Sequence, residues 1–258
     1  MSLPHFFLEE QVFSQETNPV FELDLSADDR KHFNALRLNA REHIAVIDAA
    51  CCYYECEIDS VSRDQVLVSV SKHLDSKSRP NITLIQGLAK GDKMDSVFCH
   101  ATEIGVRAFL PLICNRSIVK LDEKKKASRL KRWNALVKSA AMQSGQSSLP
   151  YIYEPTTIDQ ARDVFSSFDV VVVFWEEAGI DRSVDRVLSN YKCSGKELSS
   201  LSVGIVIGPE GGLSEDEINR IGSFNSHVEL ATLGSSILRT ETAGLIAPAL
   251  VLFELERA

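Results

Sequence analysis

Hydrophobic and polar positions change their spacing at residues 74–80, and the chain divides there into two segments. Residues 43–73 show period-two alternation and are rich in β-branched and aromatic side chains, which predicts strands. Upstream, Ser26 is placed to cap a short helix that begins at Ala27. Residues 1–74 are therefore predicted to be a small, mostly β domain, followed by a polar linker that ends in a proline.

After the linker, short apolar runs alternate with longer amphipathic stretches, which is typical of a parallel sheet covered by helices. The runs 170–175 and 202–208 are continuously apolar, as expected for strands buried on both faces. Earlier runs at 82–88 and 107–113 each precede a predicted helix, the first through Thr102 and Glu103 and the second through Leu130, Trp133, Leu136 and Val137. Residues 75–258 are predicted to form an α/β domain.

Composition is that of an ordinary folded chain: 258 residues, 44% hydrophobic and 25% charged, which excludes a disordered, collagen-like or disulfide-scaffold protein. No apolar run approaches the ~20 residues that span a bilayer. Glu9 and Glu10 stand where a signal peptide requires apolar residues. The sequence therefore predicts a cytoplasmic protein without a membrane segment.

Cysteine and histidine spacing gives no sign of a metal site. The cysteines lack paired CxxC spacing, so they are predicted to be free thiols, with no disulfide and no metal. They are Cys51, Cys52, Cys56, Cys99, Cys114 and Cys193. The scattered histidines are interpreted as surface or core residues without a catalytic role: His32, His43, His100 and His227.

Charge is unevenly distributed along this acidic chain, whose formal net charge is −8. Residues 1–73 carry 6 basic and 13 acidic side chains, residues 74–150 carry 14 and 6, and residues 151–258 carry 8 and 17. The basic excess is concentrated within 120–138, at a density that would neutralise several phosphates. From charge alone, a solvated helix face is an equally good interpretation of that cluster.

A first chemical motif spans Gly204–Ile218, where a buried strand runs into Gly208-Pro209-Glu210-Gly211-Gly212 and a predicted helix follows. Glycines let the backbone approach a ligand closely, and a helix N-terminus offers unpaired N–H groups. Ser214 and Glu217 also fit a capping box, which is a purely structural function. The motif lacks a phosphate-loop lysine, and Glu210 would repel an anion, so a ligand with hydrogen-bond donors or positive charge suits it better.

A second motif spans Glu229–Leu252: a strand, a glycine-containing turn and a long apolar helix. Thr240 or Thr242 is predicted to cap that helix. Arg239 and Glu241 flank its entrance, either as functional charges or as a simple salt bridge.

Taken together, GPEGGLSEDEI and LGSSILRTETA, about 25 residues apart, resemble the C-terminal signature of the SPOUT, or α/β-knot, methyltransferases. The specific resemblance is to the small-subunit ribosomal RNA (uracil-N(3)) methyltransferases. It extends over most of the chain through further segments: Leu88 to Asp95, Thr102 to Val106, Asn115 to Ser117, Arg132-Trp133 and Ala140 to Ser144. The β domain resembles the PUA-like RNA-binding domain of that family.

The resemblance implies an α/β fold: a trefoil-knotted parallel-sheet domain preceded by a small PUA-like β-barrel. It implies a homodimer and an S-adenosyl-L-methionine cofactor bound in the knot. The cofactor-binding residues it implies are Gly208, Glu210, Gly211, Leu230, Leu233, Gly234, Ile237 and Leu238. Their backbone groups and apolar side chains suit an adenine ring, and Glu210 suits ribose hydroxyls or an amine.

The implied reaction is methylation of ring nitrogen 3 of a specific uridine in 16S ribosomal RNA, in the decoding region of the assembled small subunit. That nitrogen carries a weakly acidic proton on the base-pairing edge, so the uridine must be unpaired or flipped out. Arg239 and Arg116 are the candidates for stabilising charge on the flanking carbonyl oxygens. Glu241 is the candidate base or base-orienter.

The RNA-binding residues expected from charge and resemblance are Lys124, Lys125, Lys126, Arg129, Arg132, Arg30 and Arg37. Three positions depart from the usual arginines of the family: His5, Gln146 and Ser236. Two alternatives stay open at this point. One is a catalytically impaired assembly factor of the same fold that binds ribosomal RNA, and the other is an α/β enzyme for a different nucleotide.

Overall fold

The computed structural model describes residues 3–13, 20–63, 65–76, 79–179, 181–192 and 200–257. The chain forms two compact units: residues 1–77 with 141–149, and residues 78–140 with 150–258. Within the described ranges, no helix is long and apolar enough to cross a membrane. The cysteines in these ranges are free thiols, whereas Cys193 lies outside them.

The first unit is built on a five-stranded sheet in the order β1-β3-β4-β5-β2. Its elements are β1 (His5–Phe7), β2 (Val20–Glu22), α1 (Ala27–Leu36), β3 (His43–Ile47), β4 (Tyr53–Val61) and β5 (Val66–His73). Among the strand pairs of this unit that the structure describes, only β1–β3 is parallel. Ser26 caps α1 by accepting a hydrogen bond from the Asp29 amide, as the sequence predicted. Alternate strand residues such as Ile44, Val46 and Ile58 are fully buried in its core.

The second unit is a parallel sheet covered by helices on both faces. Its elements are β6 (Asn81–Gly87), α2 (Lys93–Ile104), β7 (Ala108–Ile113), α3 (Glu123–Ser144, whose last four residues belong to the first unit), β8 (Tyr151–Ile152), β9 (Thr156–Thr157), α4 (Arg162–Ser166), β10 (Val170–Phe174), α5 (Val184–Lys192), β11 (Ser202–Ile207), α6 (Glu215–Phe224), β12 (Val228–Ala231) and α7 (Thr240–Glu256). The sheet order is β12-β10-β11-β6-β7-β8, and β9 also pairs with β7.

Burial explains why the strands of this unit read as continuous apolar runs. Val170 and Val172 belong to a core cluster shared with α2, α5 and α7, whereas Val171 and Val173 belong to a second cluster shared with α4 and α6. Both faces of β10 are therefore buried, so its side chains do not alternate between polar and apolar. This is the α/β arrangement with a preceding small β domain that the sequence predicted.

Candidate active site

Four neighbouring strands of the parallel sheet, β12, β10, β11 and β6, end at the same edge. The segments that follow β10, β11 and β12, together with the start of α2 and of α7, line a cavity of about 400 Å³. Ligands of parallel sheets bind at the carboxyl ends of the strands, where the connecting loops converge. The two motifs singled out in the sequence, around residues 208–214 and 232–239, are both part of this cavity.

The first cavity loop, residues 208–214, begins where β11 ends and is packed closely against β6. A Cβ atom on Gly87 would lie 2.4 Å from the Pro209 nitrogen, so only glycine permits this approach. At the other end of the loop, Ser214 and Glu217 form the predicted capping box of α6. The Glu217 carboxylate also accepts a 2.7 Å hydrogen bond from the Asn115 amide.

Arg116 holds the first cavity loop by hydrogen bonds to its backbone. Its Nη1 donates hydrogen bonds of 3.1 Å to the Gly211 carbonyl and 3.4 Å to the Leu213 carbonyl. A Cβ on Gly211 would lie 2.9 Å from the Arg116 Cβ. The absence of a side chain at Gly211 therefore leaves room for Arg116. Arg116 does not line the cavity in the described structure, and its expected contact with a developing charge stays a prediction.

The second cavity loop, residues 232–239, follows β12 and has fewer contacts. The Thr232 hydroxyl donates to the Gly234 carbonyl at 3.1 Å, and its oxygen accepts from the Gly234 amide at 3.2 Å. Ile237, in this loop, is 83% exposed. Because Ile237 lines the cavity, a ligand bound there would cover part of its side chain.

The predicted threonine cap of α7 is wrong. Arg239 occupies the N-cap position and makes no side-chain capping hydrogen bond. Thr240, the first helical residue, instead donates from its hydroxyl to the Gly208 carbonyl at 2.6 Å. It accepts a 2.8 Å hydrogen bond from Nε2 of the fully buried Gln86. Thr240 therefore joins the end of β6 and the first cavity loop to α7.

Lys93, at the start of α2, was not found by sequence reasoning. Its Nζ lies 3.1 Å from Glu210 Oε1 and 3.1 Å from Glu241 Oε2. The three side chains are only 21–24% exposed, and Oε2 of Glu241 is shielded from solvent. Glu210 also accepts a 3.1 Å hydrogen bond from the Lys90 amide.

These contacts favour the charged form of all three groups. Hydrogen bonds to Glu210 and then to Glu241 raise the pKa of Lys93. Burial acts to raise the pKa of Glu210, but hydrogen bonds from its own amide, Lys93 and Lys90 hold it below its usual value. The pKa of Glu241 is lowered first by a hydrogen bond from its own amide and further by Lys93 and Arg239.

Six of the eight expected cofactor residues line the cavity: Gly208, Glu210, Leu233, Gly234, Ile237 and Leu238. Gly211 faces Arg116, and Leu230 packs against the core on one face of the sheet. Further apolar wall comes from Phe174, Trp175, Ile207 and Leu213. Ser236, one of the three positions expected to depart from the family's usual arginines, also lines the cavity.

The two charged residues at the entrance of α7 lie close together. The Arg239 side chain lines the cavity, is 82% exposed, and has its Nη1 4.0 Å from Glu241 Oε1. At that distance and exposure the salt bridge contributes little to stability. Arg239 is therefore available to a ligand, whereas Glu241 is engaged by Lys93.

The expected RNA-binding side chains are partly engaged in ion pairs. Lys125 pairs with Asp122, just before α3, and Lys126 pairs with Glu123, the first residue of α3; each partner lies three residues earlier in the chain. Arg132 pairs with Asp95 at 2.7 Å yet stays 67% exposed. Also in α3, Lys124 is exposed, and the Arg129 guanidinium lies 6.0 Å from the centroid of the Trp133 ring. In the first unit, Arg30 is half-buried in α1, and the exposed Arg37 ends that helix in the left-handed conformation.

One group of potential metal ligands occurs among the described residues. The donor atoms of Cys99, His100 and Glu103 lie within 4.8 Å of one another on α2. His100 and Glu103 are exposed, and Glu103 is hydrogen-bonded to the His100 ring. This group is separate from the residues that line the cavity.

Most of the α/β unit that forms this cavity matches a known protein family. Residues 76–252 match the family described as RNA methyltransferase domain. The chain therefore belongs to the RNA methyltransferase domain family, as its sequence motifs indicated.

The relatives narrow that class. The chain is 31% identical to ribosomal RNA small subunit methyltransferase E of Bacillus subtilis over 98% of both chains. It is 28% identical to the protein of the same name from Mycobacterium tuberculosis, over 82% of this chain and 78% of that one. The crystal structure of ribosomal RNA small subunit methyltransferase E from Neisseria gonorrhoeae bound to S-adenosyl methionine is 30% identical, covers 96% of each chain, and superposes with a TM-score of 0.73.

Proposed function

We propose that this protein transfers a methyl group from S-adenosylmethionine to ring nitrogen 3 of a uridine in small-subunit (16S) ribosomal RNA. The observation that carries the proposal is the cavity formed by both glycine-containing loops. It occurs in a chain 30% identical to the Neisseria relative crystallised with that cofactor. A ribosomal RNA substrate agrees with the cytoplasmic location expected from the sequence.

The residues at the cavity fit an adenosyl sulfonium compound. Leu233, Ile237 and Leu238 provide apolar surface for a flat ring. The lining includes two carboxylates, Glu176 and Glu210, that could pair with a sulfonium and an ammonium group, alongside the basic side chains of Lys93 and Arg239. The cofactor would supply an electrophilic methyl group.

Side chains of the protein would bind and orient the uridine. A guanidinium presents donors in a fixed fork, so the exposed Arg239 would bind a carbonyl oxygen of the base as negative charge develops there. Glu241 would orient the base or accept its proton. Because its pKa is lowered, Glu241 is a weak base, and the geometry favours the orienting function over proton abstraction.

The RNA would be held by the basic side chains of α3 and by the first unit, which we propose acts as a PUA-like RNA-binding domain. Reversing the charge of Lys124, Lys125, Lys126 and Arg129 should weaken RNA binding and reduce its dependence on salt, because fewer counterions would be released. An unchanged salt slope would show that this cluster serves only as a solvated helix face.

We also propose that the protein acts as a homodimer. Helix α7 carries an exposed apolar stripe at Ile246, Leu250 and Phe253, which are 39–57% exposed. This i, i+4, i+7 spacing places them on one helix face, and such faces mark association sites. Replacing Leu250 and Phe253 by aspartate should convert a dimer to a monomer in light-scattering measurements, and a mass unaffected by the change would contradict the assignment.

The deciding experiment is methyl transfer to small ribosomal subunits taken from cells that lack this chain. Labelled S-adenosylmethionine should deliver one methyl group per subunit, and mass spectrometry should locate it on nitrogen 3 of a uridine. Arg239→Ala and Glu241→Gln should lower turnover about 100-fold with cofactor binding retained. Arg220→Ala, which removes an exposed, ion-paired arginine of α6, is the matched control. Binding to subunits without transfer would instead identify an assembly factor.

A further inference from the structure

Three segments that are distant in sequence meet at one ammonium group. Lys93 lies at the start of α2, Glu210 in the first cavity loop and Glu241 in the first turn of α7. Both carboxylate oxygens lie 3.1 Å from Lys93 Nζ. Since the ammonium group has three donors, it can serve both carboxylates at once.

The cluster of Lys93, Glu210 and Glu241 is partly shielded from water, which strengthens the attraction between its charges. Each of its side chains is at most 24% exposed, so solvent screens the interaction less than at an open surface. Lys93 and Glu210 line the cavity, as do two other charged residues: Arg239, whose Nη1 is 4.0 Å from Glu241 Oε1, and Glu176. Asp95, also on α2, pairs with Arg132 rather than with Lys93.

Without Lys93, Glu210 and Glu241 would face each other as like charges. Their oxygens are at most about 6 Å apart, because each is 3.1 Å from the same nitrogen. Like charges at this separation repel, so one carboxylate would take up a proton or turn away. Either change would alter both the wall of the cavity and the entrance of α7.

We propose that Lys93 is a positioning residue of the methyl-transfer site. Its ammonium group holds Glu210 of the first cavity loop and Glu241 of α7 as one ionised cluster. This inference rests on the proposed function, and it adds that the cofactor side and the uridine side of the site are coupled through a single cation. The cluster carries a net charge of −1, which is complementary to a cationic methyl donor.

The first test needs neither cofactor nor RNA. Carboxyl resonances of Glu210 and Glu241, assigned with the Glu210→Gln and Glu241→Gln variants, are followed by NMR as the pH is varied. In Lys93→Met they should titrate about one pH unit higher than in the wild type, since an opposite charge has been removed. Lys72→Met, which removes a lysine paired with Glu55 at 2.9 Å in the first unit, is the matched control. Unchanged titration in Lys93→Met would overturn the proposal.

The second test follows turnover. In Lys93→Met the acid limb of kcat should move to higher pH, because a larger fraction of the carboxylates is protonated at any given acidic pH. Lys93→Arg, which keeps the charge, should return the limb to its wild-type position. A Lys93→Met enzyme with a lower kcat but an unmoved acid limb would indicate a merely structural ion pair and would overturn the proposal.

The two failures are distinguishable. A wild-type protein that transfers no methyl group contradicts the proposed function, whereas the NMR titration still tests the cluster itself. An active wild-type enzyme whose carboxyl groups do not respond to Lys93→Met contradicts only the inference about Lys93.

Discussion

The two loops that enclose the cavity are held in very different ways. Residues 208–214 are fixed by Arg116, by the capping box of α6, by the Lys93–Glu210 contact and by Thr240. Residues 232–239 are held by the local turn at Thr232 and by the Thr232 amide, which donates to the Arg182 carbonyl. Two of their side chains, Ile237 and Arg239, are more than 80% exposed.

This difference indicates a division of work between the loops. A loop fixed by many buried contacts is preorganised and loses little entropy when a ligand binds. A loop with few contacts adapts its conformation and gains contacts on binding. We therefore expect substitutions in the first loop to change stability and binding together, and substitutions in the second loop to change cofactor binding or turnover without changing stability.

The largest effect should come from Gly87→Ala. The added Cβ would lie 2.4 Å from the Pro209 nitrogen, so the first loop must move. We expect a loss of about 2–3 kcal/mol in the free energy of unfolding, together with loss of cofactor binding in calorimetry. Gly222→Ala on α6, where a Cβ meets nothing within 4 Å, should leave binding intact and slightly stabilise the protein. Equal behaviour of the two variants would contradict the assigned packing.

A smaller loss is expected from Thr240→Val. The change removes the donor to the Gly208 carbonyl and leaves the Gln86 amide, buried at 0% exposure, without this partner. An unsatisfied buried polar group costs about 1–3 kcal/mol, measurable by urea unfolding. Thr242→Val, two residues further on at an exposed position, provides the comparison and should cost little.

The contribution of Glu210 should depend on pH. Its folded-state pKa is below the usual value of 4.5, so its stabilising contribution is present above pH 4.5 and is lost as the pH falls through the folded value. Wild type should therefore be more stable than Glu210→Gln at neutral pH, and this difference should shrink in acid. A stability difference that does not vary with pH would show that the carboxylate charge contributes nothing to the first loop.

The smallest effect on stability is expected from Ile237→Ser in the second loop. Because Ile237 is 83% exposed, the free energy of unfolding should change by less than about 0.5 kcal/mol. Cofactor affinity should nevertheless fall about tenfold, since the ligand would bury this side chain. Ile118→Ser, at another exposed isoleucine (68%) that does not line the cavity, should alter neither quantity.

Helix caps and strands could be predicted from the sequence where the residues that determine them are close together in the chain. The cap at Ser26, the capping box at Ser214 and the buried strand at 170–174 each depend on residues within a few positions of one another. Both cavity loops were also found from the glycines that follow apolar runs, because parallel strands bring such loops to one edge.

The remaining features depend on contacts between distant positions. The partners of Lys93 follow it by more than a hundred residues, and nothing in its neighbourhood distinguishes it from other lysines. Thr240 fits the residue preferences of a helix cap, but its hydroxyl instead reaches Gly208, 32 positions earlier. Tertiary hydrogen bonds therefore overrode a local preference in the only helix cap that was predicted wrongly among those described.

The Gln86–Thr240 hydrogen bond joins positions 154 residues apart, and the same hydroxyl reaches back to Gly208. During synthesis α7 leaves the ribosome well after β6, so this hydrogen bond forms late. Contacts of such long sequence separation slow folding. A nascent chain stalled before residue 240 would carry every described strand of the sheet but lack the Thr240 hydroxyl, so we expect its first cavity loop to be poorly ordered and its affinity for the methyl donor to be low.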